Sequence, residues 1–201
     1  CDALRESTVS KVEELELNDN EIGPDGARAI AALCAVRGSL TSLSVASNGI
    51  SGDGAQQLAS AVLAKPNLEV FSGIPLKELR ADSLTTLDLS RKGLGVPEAI
   101  VLADLLRSVS PSLTTVLVGG NGLGDEGTTI LCDALRESTV SKVEELDLSL
   151  NYIGPGGAKA IAALCAVRAS LTSISLLGNK RGGGEGWSAV KPKTCVADGT
   201  V

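Results

Sequence analysis

The sequence predicts an α/β solenoid: a horseshoe with parallel strands on its concave face and helices on its convex face. Three observations lead there. First, residues 1–45 align with 132–176 without a gap, and 36 of the 45 positions are identical. Second, a shorter unit recurs inside that block, beginning at Val12, Leu40, Leu84, Leu113, Val143 and Leu171. Third, each unit carries a two-residue apolar alternation and then a helical apolar stripe. A unit that cannot bury its own apolar face must stack on its neighbours, and repetition turns that stack into a solenoid.

The units read VEELELNDNEIG, LTSLSVASNGIS, LTTLDLSRKGLG, LTTVLVGGNGLG, VEELDLSLNYIG and LTSISLLGNKRG, which together give LxxLxLxxNxI/L. The pairs Leu15 and Leu17, Leu43 and Val45, Leu87 and Leu89, Val116 and Val118, Leu146 and Leu148, and Ile174 and Leu176 alternate as a strand with one buried face requires. Asn recurs at 20, 48, 121, 151 and 179. Glycines then allow a tight turn, and Pro24, Pro97 and Pro155 stand where a helix begins, a position that needs no amide donor. Helical stripes follow at Ala27, Ile30, Ala31, Cys34; Ala55, Leu58, Ala59, Val62; Ala99, Leu102, Ala103, Leu106; Thr128, Leu131, Cys132, Leu135; and Ala158, Ile161, Ala162, Cys165. About six parallel strands and five helices are expected.

Two departures interrupt the pattern. The interval from Leu68 to Leu84 is only 16 residues, so residues 68–83 have no room for a full helix, and a defect in the helical layer is expected there. In the next unit Lys92 takes the Asn place and Glu98 replaces a glycine. The ends are irregular too: residues 1–11 match the back half of a unit, and the pattern dissolves after Asn179. The expected organisation is an array over 1–180, cut from a longer one at its amino-terminal side, and an irregular tail over 181–201. Without any Met, residue 1 does not read as a natural start.

The extended pattern LxxLxLxxNxIGxxGAxxIAxAL resembles the ribonuclease-inhibitor-like leucine-rich repeats, as in the ribonuclease inhibitor, Ran GTPase-activating proteins and the sensor regions of NOD-like receptors. The resemblance covers about residues 1–180. It implies that the recurring Asn bonds backbone groups of neighbouring turns. It also implies a non-catalytic, protein-binding scaffold. The alternative it offers is a GTPase-activating protein of the Ran type, which depends on particular residues in the first repeats.

Composition narrows the function classes. The 18 basic and 24 acidic residues give a net charge of -6, which argues against nucleic-acid binding and permits a basic protein partner. No run approaches the roughly 20 apolar residues that span a bilayer, so no membrane association is expected. Five cysteines, an odd number without zinc-site spacing, fit a reducing, cytoplasmic setting. Cys34, Cys132 and Cys165 lie on helical stripes and read as small core residues, whereas Cys195 reads as accessible. The absence of His removes the usual general base and the commonest metal ligand, and no Ser or Thr has a base beside it in the pattern. No catalytic residue, metal or cofactor is therefore expected. Gly122–Gly127 matches GxGxxG between a strand and a helix, but the equivalent turns IGPDGA and IGPGGA are glycine-rich for the solenoid's own geometry.

The candidate site is the concave face. The strand residues between the buried positions point onto it: Glu14, Glu16, Asn18, Ser42, Ser44, Thr86, Asp88, Ser90, Thr115, Glu145, Asp147, Ser149, Ser173 and Ser175. These form an acidic and hydroxyl surface with acid near both ends, suited to a basic protein by charge complementarity. Arg91 and Lys92 add one basic spot beside the short unit.

Overall fold

The computed structural model describes residues 11–179. The expected tail at 181–201, with Cys195, and residues 1–10 lie outside them. In chain order the elements are β1 (Glu14–Glu16), α1 (Gly23–Val36), β2 (Ser42–Ser44), α2 (Gly52–Leu63), β3 (Val70–Phe71), β4 (Ile74–Pro75), α3 (Leu76–Arg80), β5 (Thr86–Asp88), α4 (Val96–Ser108), β6 (Thr115–Leu117), α5 (Gly124–Glu137), β7 (Glu145–Asp147), α6 (Pro155–Val167) and β8 (Ser173–Ser175). Strand, turn and helix alternate as the two apolar periods require.

The strands pair in repeat register: Leu15 faces Leu43, and Leu43 faces Phe71. Likewise Leu87, Val116, Leu146 and Ile174 stand side by side across β5 to β8. All these pairings are parallel. Their inward side chains meet the helical stripes in one apolar core that runs from Ala27 to Ile174. Aliphatic side chains and alanines fill it, with Phe71 as its aromatic member, because each thin layer has a similar slot to fill.

The expectation of one all-parallel set of six strands and five helices needs correction at the short unit. Among the described residues there are two four-stranded sheets, β1-β2-β3-β4 and β5-β6-β7-β8. The chain turns back after β3, and β4 pairs antiparallel with it, Phe71 opposite Ile74. The five-residue α3 follows. Sixteen residues hold a hairpin and a single turn of helix, but not a strand-turn-helix unit. The space is nonetheless filled, because Phe71, Ile74 and Leu76 are fully buried and Leu79 nearly so. The helical layer closes over the gap, with α2 packing directly on α4.

The last helix also differs from expectation. Ala158 and Ala162 on the α6 stripe are exposed and Cys165 is half-buried, whereas Ile161 and Leu164 are buried. Helix α6 is the last one described, so the side turned away from α5 has no described neighbour.

Candidate functional site: the concave strand face

The asparagines hold the turns that set the shape of the face. Asn48 Oδ1 accepts from the amides of Asn20 (2.9 Å) and Ile22 (3.2 Å), and its Nδ2 donates to the carbonyls of Leu17 (2.6 Å) and Val45 (2.8 Å). Asn121 does the same toward the preceding repeat, accepting from Lys92 and Leu94 and donating to Leu89 and to Val118 in its own repeat. Asn151 and Asn179 continue the ladder. Each amide side chain thus satisfies turn groups that a stacked repeat would otherwise bury without partners.

At the seam between the sheets the ladder changes chemistry. Lys92 stands at the Asn place, and the side chain that crosses the seam is Glu98. Its carboxylate accepts from Ser72 Oγ (2.8 Å) and from the Gly95 amide (2.9 Å), while Ser72 Oγ accepts from the Val45 amide (3.1 Å). In a regular repeat this place must be glycine: a Cβ on Gly54 would lie 2.4 Å from the Pro24 carbonyl oxygen. The short unit intervenes before α4, and the carboxyl fits. Glu98 is almost fully buried, and burial raises its carboxyl above the ordinary carboxylate range against the lowering effect of the Gly95 amide, the Ser72 hydroxyl and its own amide. One backbone bond, from the Ser47 amide to the Gly93 carbonyl (3.0 Å), also passes over the short unit.

Cationic side chains tie helix ends of one repeat to the next. Lys65 Nζ donates to the Arg37 carbonyl, and Arg168 donates to the carbonyls of Leu135 and Ser138. Arg80 of the short unit donates to the carbonyl of Leu68 (2.8 Å). These satisfy carbonyls left over where helices end.

The glycine-rich stretch Gly122–Gly127 is committed to the stack. The amides of Gly122, Gly124 and Gly127 donate to the carbonyls of Leu94, Asn151 and Leu123, each at 2.9 Å. Asp125 within it accepts from the amides of Gly154 (2.6 Å) and Gly157 (3.0 Å) at the start of α6. A carboxylate therefore occupies the anion-seeking end of that helix. The thiols of Cys34 and Cys132 are buried, which pushes them up to about 11 and about 12, and so away from the reactive thiolate.

The strand residues singled out in the sequence lie on one face, because the residues between them are the inward ones of β1, β2 and β5 to β8. Glu14, Glu16, Thr86, Asp88, Glu145 and Ser173 are exposed; Ser42, Ser44, Thr115, Asp147, Ser149, Ser175 and Ser90 are half-buried. Register brings Glu145 beside Thr115 and Ser173, and Asp147 beside Leu117 and Ser175. Glu14 and Glu16 stand beside Ser42 and Ser44, in the other sheet from Glu145 and Asp147. None of the ion pairs among the described residues involves Glu14, Glu16, Asp88, Glu145 or Asp147. The Ser90 amide donates to Asp88 (2.9 Å), and this bond, aided by Lys92, holds the Asp88 carboxyl below its ordinary value. The Ser149 amide makes the same bond to Asp147 (2.9 Å). Asn18 is tied internally, accepting from Ser44 Oγ (2.6 Å) and the Ala46 amide (3.0 Å).

Sequence reasoning passed over three apolar residues of this side. Leu117 continues the outward alternation after Thr115, and Leu177 continues it after Ser175. Leu150 follows Ser149 in the adjoining loop and is half exposed. For Leu117 and Leu177 the signal was the same two-residue alternation that identified the acids; Leu150 lies off it.

One comparison, with known protein families, agrees with this architecture. A leucine-rich-repeat family model matches residues 10–31, 39–59, 109–129 and 141–162. Those segments span β1, β2, β6 and β7 with their turns and the first part of each following helix, and the unmatched interval between 59 and 109 contains the short unit and its successor. No curated protein matches the chain. Among solved structures the chain is similar to one titled "Leiomodin-1 Actin-Binding Site 2 (ABS2)", at 15% identity and a TM-score of 0.47. The similarity covers 55% of this chain and 64% of that one, so the chain spans less than two thirds of that structure's length. The four matched repeats, the parallel register and the asparagine ladder give this chain the fold of a leucine-rich-repeat α/β solenoid.

Proposed function

We propose that the chain is a non-catalytic protein-binding scaffold, and that its partner is a basic protein docked on the concave strand face. The observation that carries this reading is the set of unpaired acids there. Glu14, Glu16, Glu145 and Asp147 project from one face without an ion pair among the described residues. Charges of one sign on a concave surface reinforce one another's field and speed encounter with a cationic partner. Each exposed pair contributes only about 0.2–1 kcal/mol and is screened over about 8 Å at physiological salt, so binding is the sum of many weak contacts. A repeat surface supplies many such contacts. The reading includes the ribonuclease-inhibitor-like subtype, supported by repeats of 28–30 residues with full helices, and a reducing cytoplasmic setting, supported by the buried thiols.

The test is affinity capture with the chain and with a variant carrying Glu14→Lys, Glu16→Lys, Glu145→Lys and Asp147→Lys, at low and raised salt. Loss of the captured protein on charge reversal and on raising salt is expected. Capture indifferent to both would assign binding to another surface.

A further inference from the structure

The duplication supplies an internal comparison. Nine of the 45 aligned positions differ between the two copies, and three of those nine fall within four consecutive residues: Asn18-Asp19-Asn20-Glu21 in one copy and Ser149-Leu150-Asn151-Tyr152 in the other. The backbone is the same in both. Asp19 and Leu150 have φ of 57° and 53°, and Glu21 and Tyr152 have φ of 49° and 58°. Asp tolerates this left-handed region better than a bulky side chain does, so the backbone gives no reason for Leu150 and Tyr152.

The core gives no reason for Tyr152 either. It is the sole tyrosine of the sequence and is 66% exposed, whereas Leu150 is 50% and Leu177 60% exposed. Leu150 and Leu177 are neighbours: the Leu150 amide donates to the Leu177 carbonyl (2.9 Å), and the Leu150 side chain lies over Gly178; Tyr152 follows Leu150 by two residues in the same turn. Leu177 belongs to the concave row that holds Ser149, one row above Asp147 and Ser175. Asp147 is three residues from Leu150, at most roughly 10 Å along the chain. An apolar rim therefore stands directly beyond the acids Glu145 and Asp147, while the same place in the other copy is acidic.

We propose that Leu150, Tyr152 and Leu177 are the anchor site of the concave docking surface. The occupant is a cationic amphipathic protein segment that seats an apolar side chain on the rim and sets its lysines or arginines over Glu145 and Asp147. This rests on the docking function proposed above and adds what selects the partner. Charge brings many basic proteins to the face, and a rim aromatic retains those that carry an apolar residue at the right spacing.

The experiment uses three labelled peptides of about 12 residues, long enough when extended to reach from the acids to the rim. One alternates lysine with leucine and phenylalanine, one alternates lysine with serine, and one alternates glutamate with leucine and phenylalanine. Anisotropy is measured with the full chain, with the double variant Leu150→Asp and Tyr152→Glu, and with the double variant Glu145→Lys and Asp147→Lys. The first variant installs the residues that the other copy already holds on this backbone, and an unchanged thermal transition confirms its fold. The expected result is that it weakens the lysine–apolar peptide by about tenfold or more, the scale of a lost aromatic anchor, and does not weaken the lysine–serine peptide, which the two added acids favour. The acid-reversal variant weakens both lysine peptides. If only acid reversal matters, the anchor is overturned and the docking face stands. If neither variant matters, or the lysine–apolar peptide does not bind, both are overturned. Tighter binding of the glutamate peptide than of its lysine counterpart overturns the cationic occupant.

Discussion

Replacing Asn121 by Ala tests the ladder, which positions every residue of the concave face. Asn121 is 4% exposed and makes four bonds: from the amides of Lys92 (2.9 Å) and Leu94 (3.1 Å), and to the carbonyls of Leu89 (2.9 Å) and Val118 (2.8 Å). Each contributes about 0.5–1.5 kcal/mol net, and truncation leaves buried backbone groups without partners, so the expected loss is about 3–5 kcal/mol. Asn20 has the same place in its repeat, but its side chain is exposed and makes one bond, to the Asn18 carbonyl. Asn20→Ala should therefore cost about 0.5 kcal/mol, as surface changes do. Urea unfolding of the two variants at equal slope reads the difference. Equal losses would show that the asparagines act through local turn propensity and not through bonds between repeats.

Three further outcomes follow from the packing. Leu146→Ala, at a side chain 2% exposed, should cost about 2–5 kcal/mol in denaturant unfolding, whereas exposed Thr86→Ala should cost little; similar losses would place the strands one residue out of register. Thr128 stands in the alanine place of its helix with a fully buried hydroxyl that has no hydrogen-bond partner, so Thr128→Val, of the same shape, should stabilise by about 1 kcal/mol, and a loss would reveal a bond to that hydroxyl. Because the Glu98 carboxyl is raised in the fold, the folded chain holds that proton more tightly than the unfolded chain; its contribution is therefore largest below the ordinary carboxylate range and declines as pH rises through the raised value. Unfolding midpoints at about pH 5 and about pH 8 should show Glu98→Gln gaining on the parent as pH rises, and the opposite trend would mean that the carboxylate is favoured in place.

Much of this was readable from the sequence because a repeat states its own register. Leu15, Leu43, Leu87, Val116, Leu146 and Ile174 occupy one column of the repeat, and the structure pairs them in two runs, Leu15 with Leu43 and Leu87 through Ile174. The short interval after Leu68 marked the seam, but not its form. A hairpin with a buried Phe71 depends on what the neighbouring repeats leave unfilled, which periodicity does not encode. The exchange of Asn for Lys92 and of Gly for Glu98 was visible as two separate departures. That they belong together, through Ser72, emerges only when residues 26 apart meet. Asn18 looked like a surface residue and is a bonded one, because its partner lies on the next strand. The rim of Leu150 and Tyr152 was present in the differences between the two copies, and the near-identity of those copies hid it.

The most direct measurement of the central claim, that a protein partner docks on the concave side, is hydroxyl-radical footprinting of the chain alone and bound to the protein it captures. Leu117, Leu150, Tyr152 and Leu177 report on the strand face and its rim, while Val36 and Val167, 56% and 61% exposed at the ends of α1 and α6, report on the helical side. The account predicts protection of the first group and unchanged oxidation of Val36 and Val167. Protection of the two valines with the strand face still oxidised would contradict it.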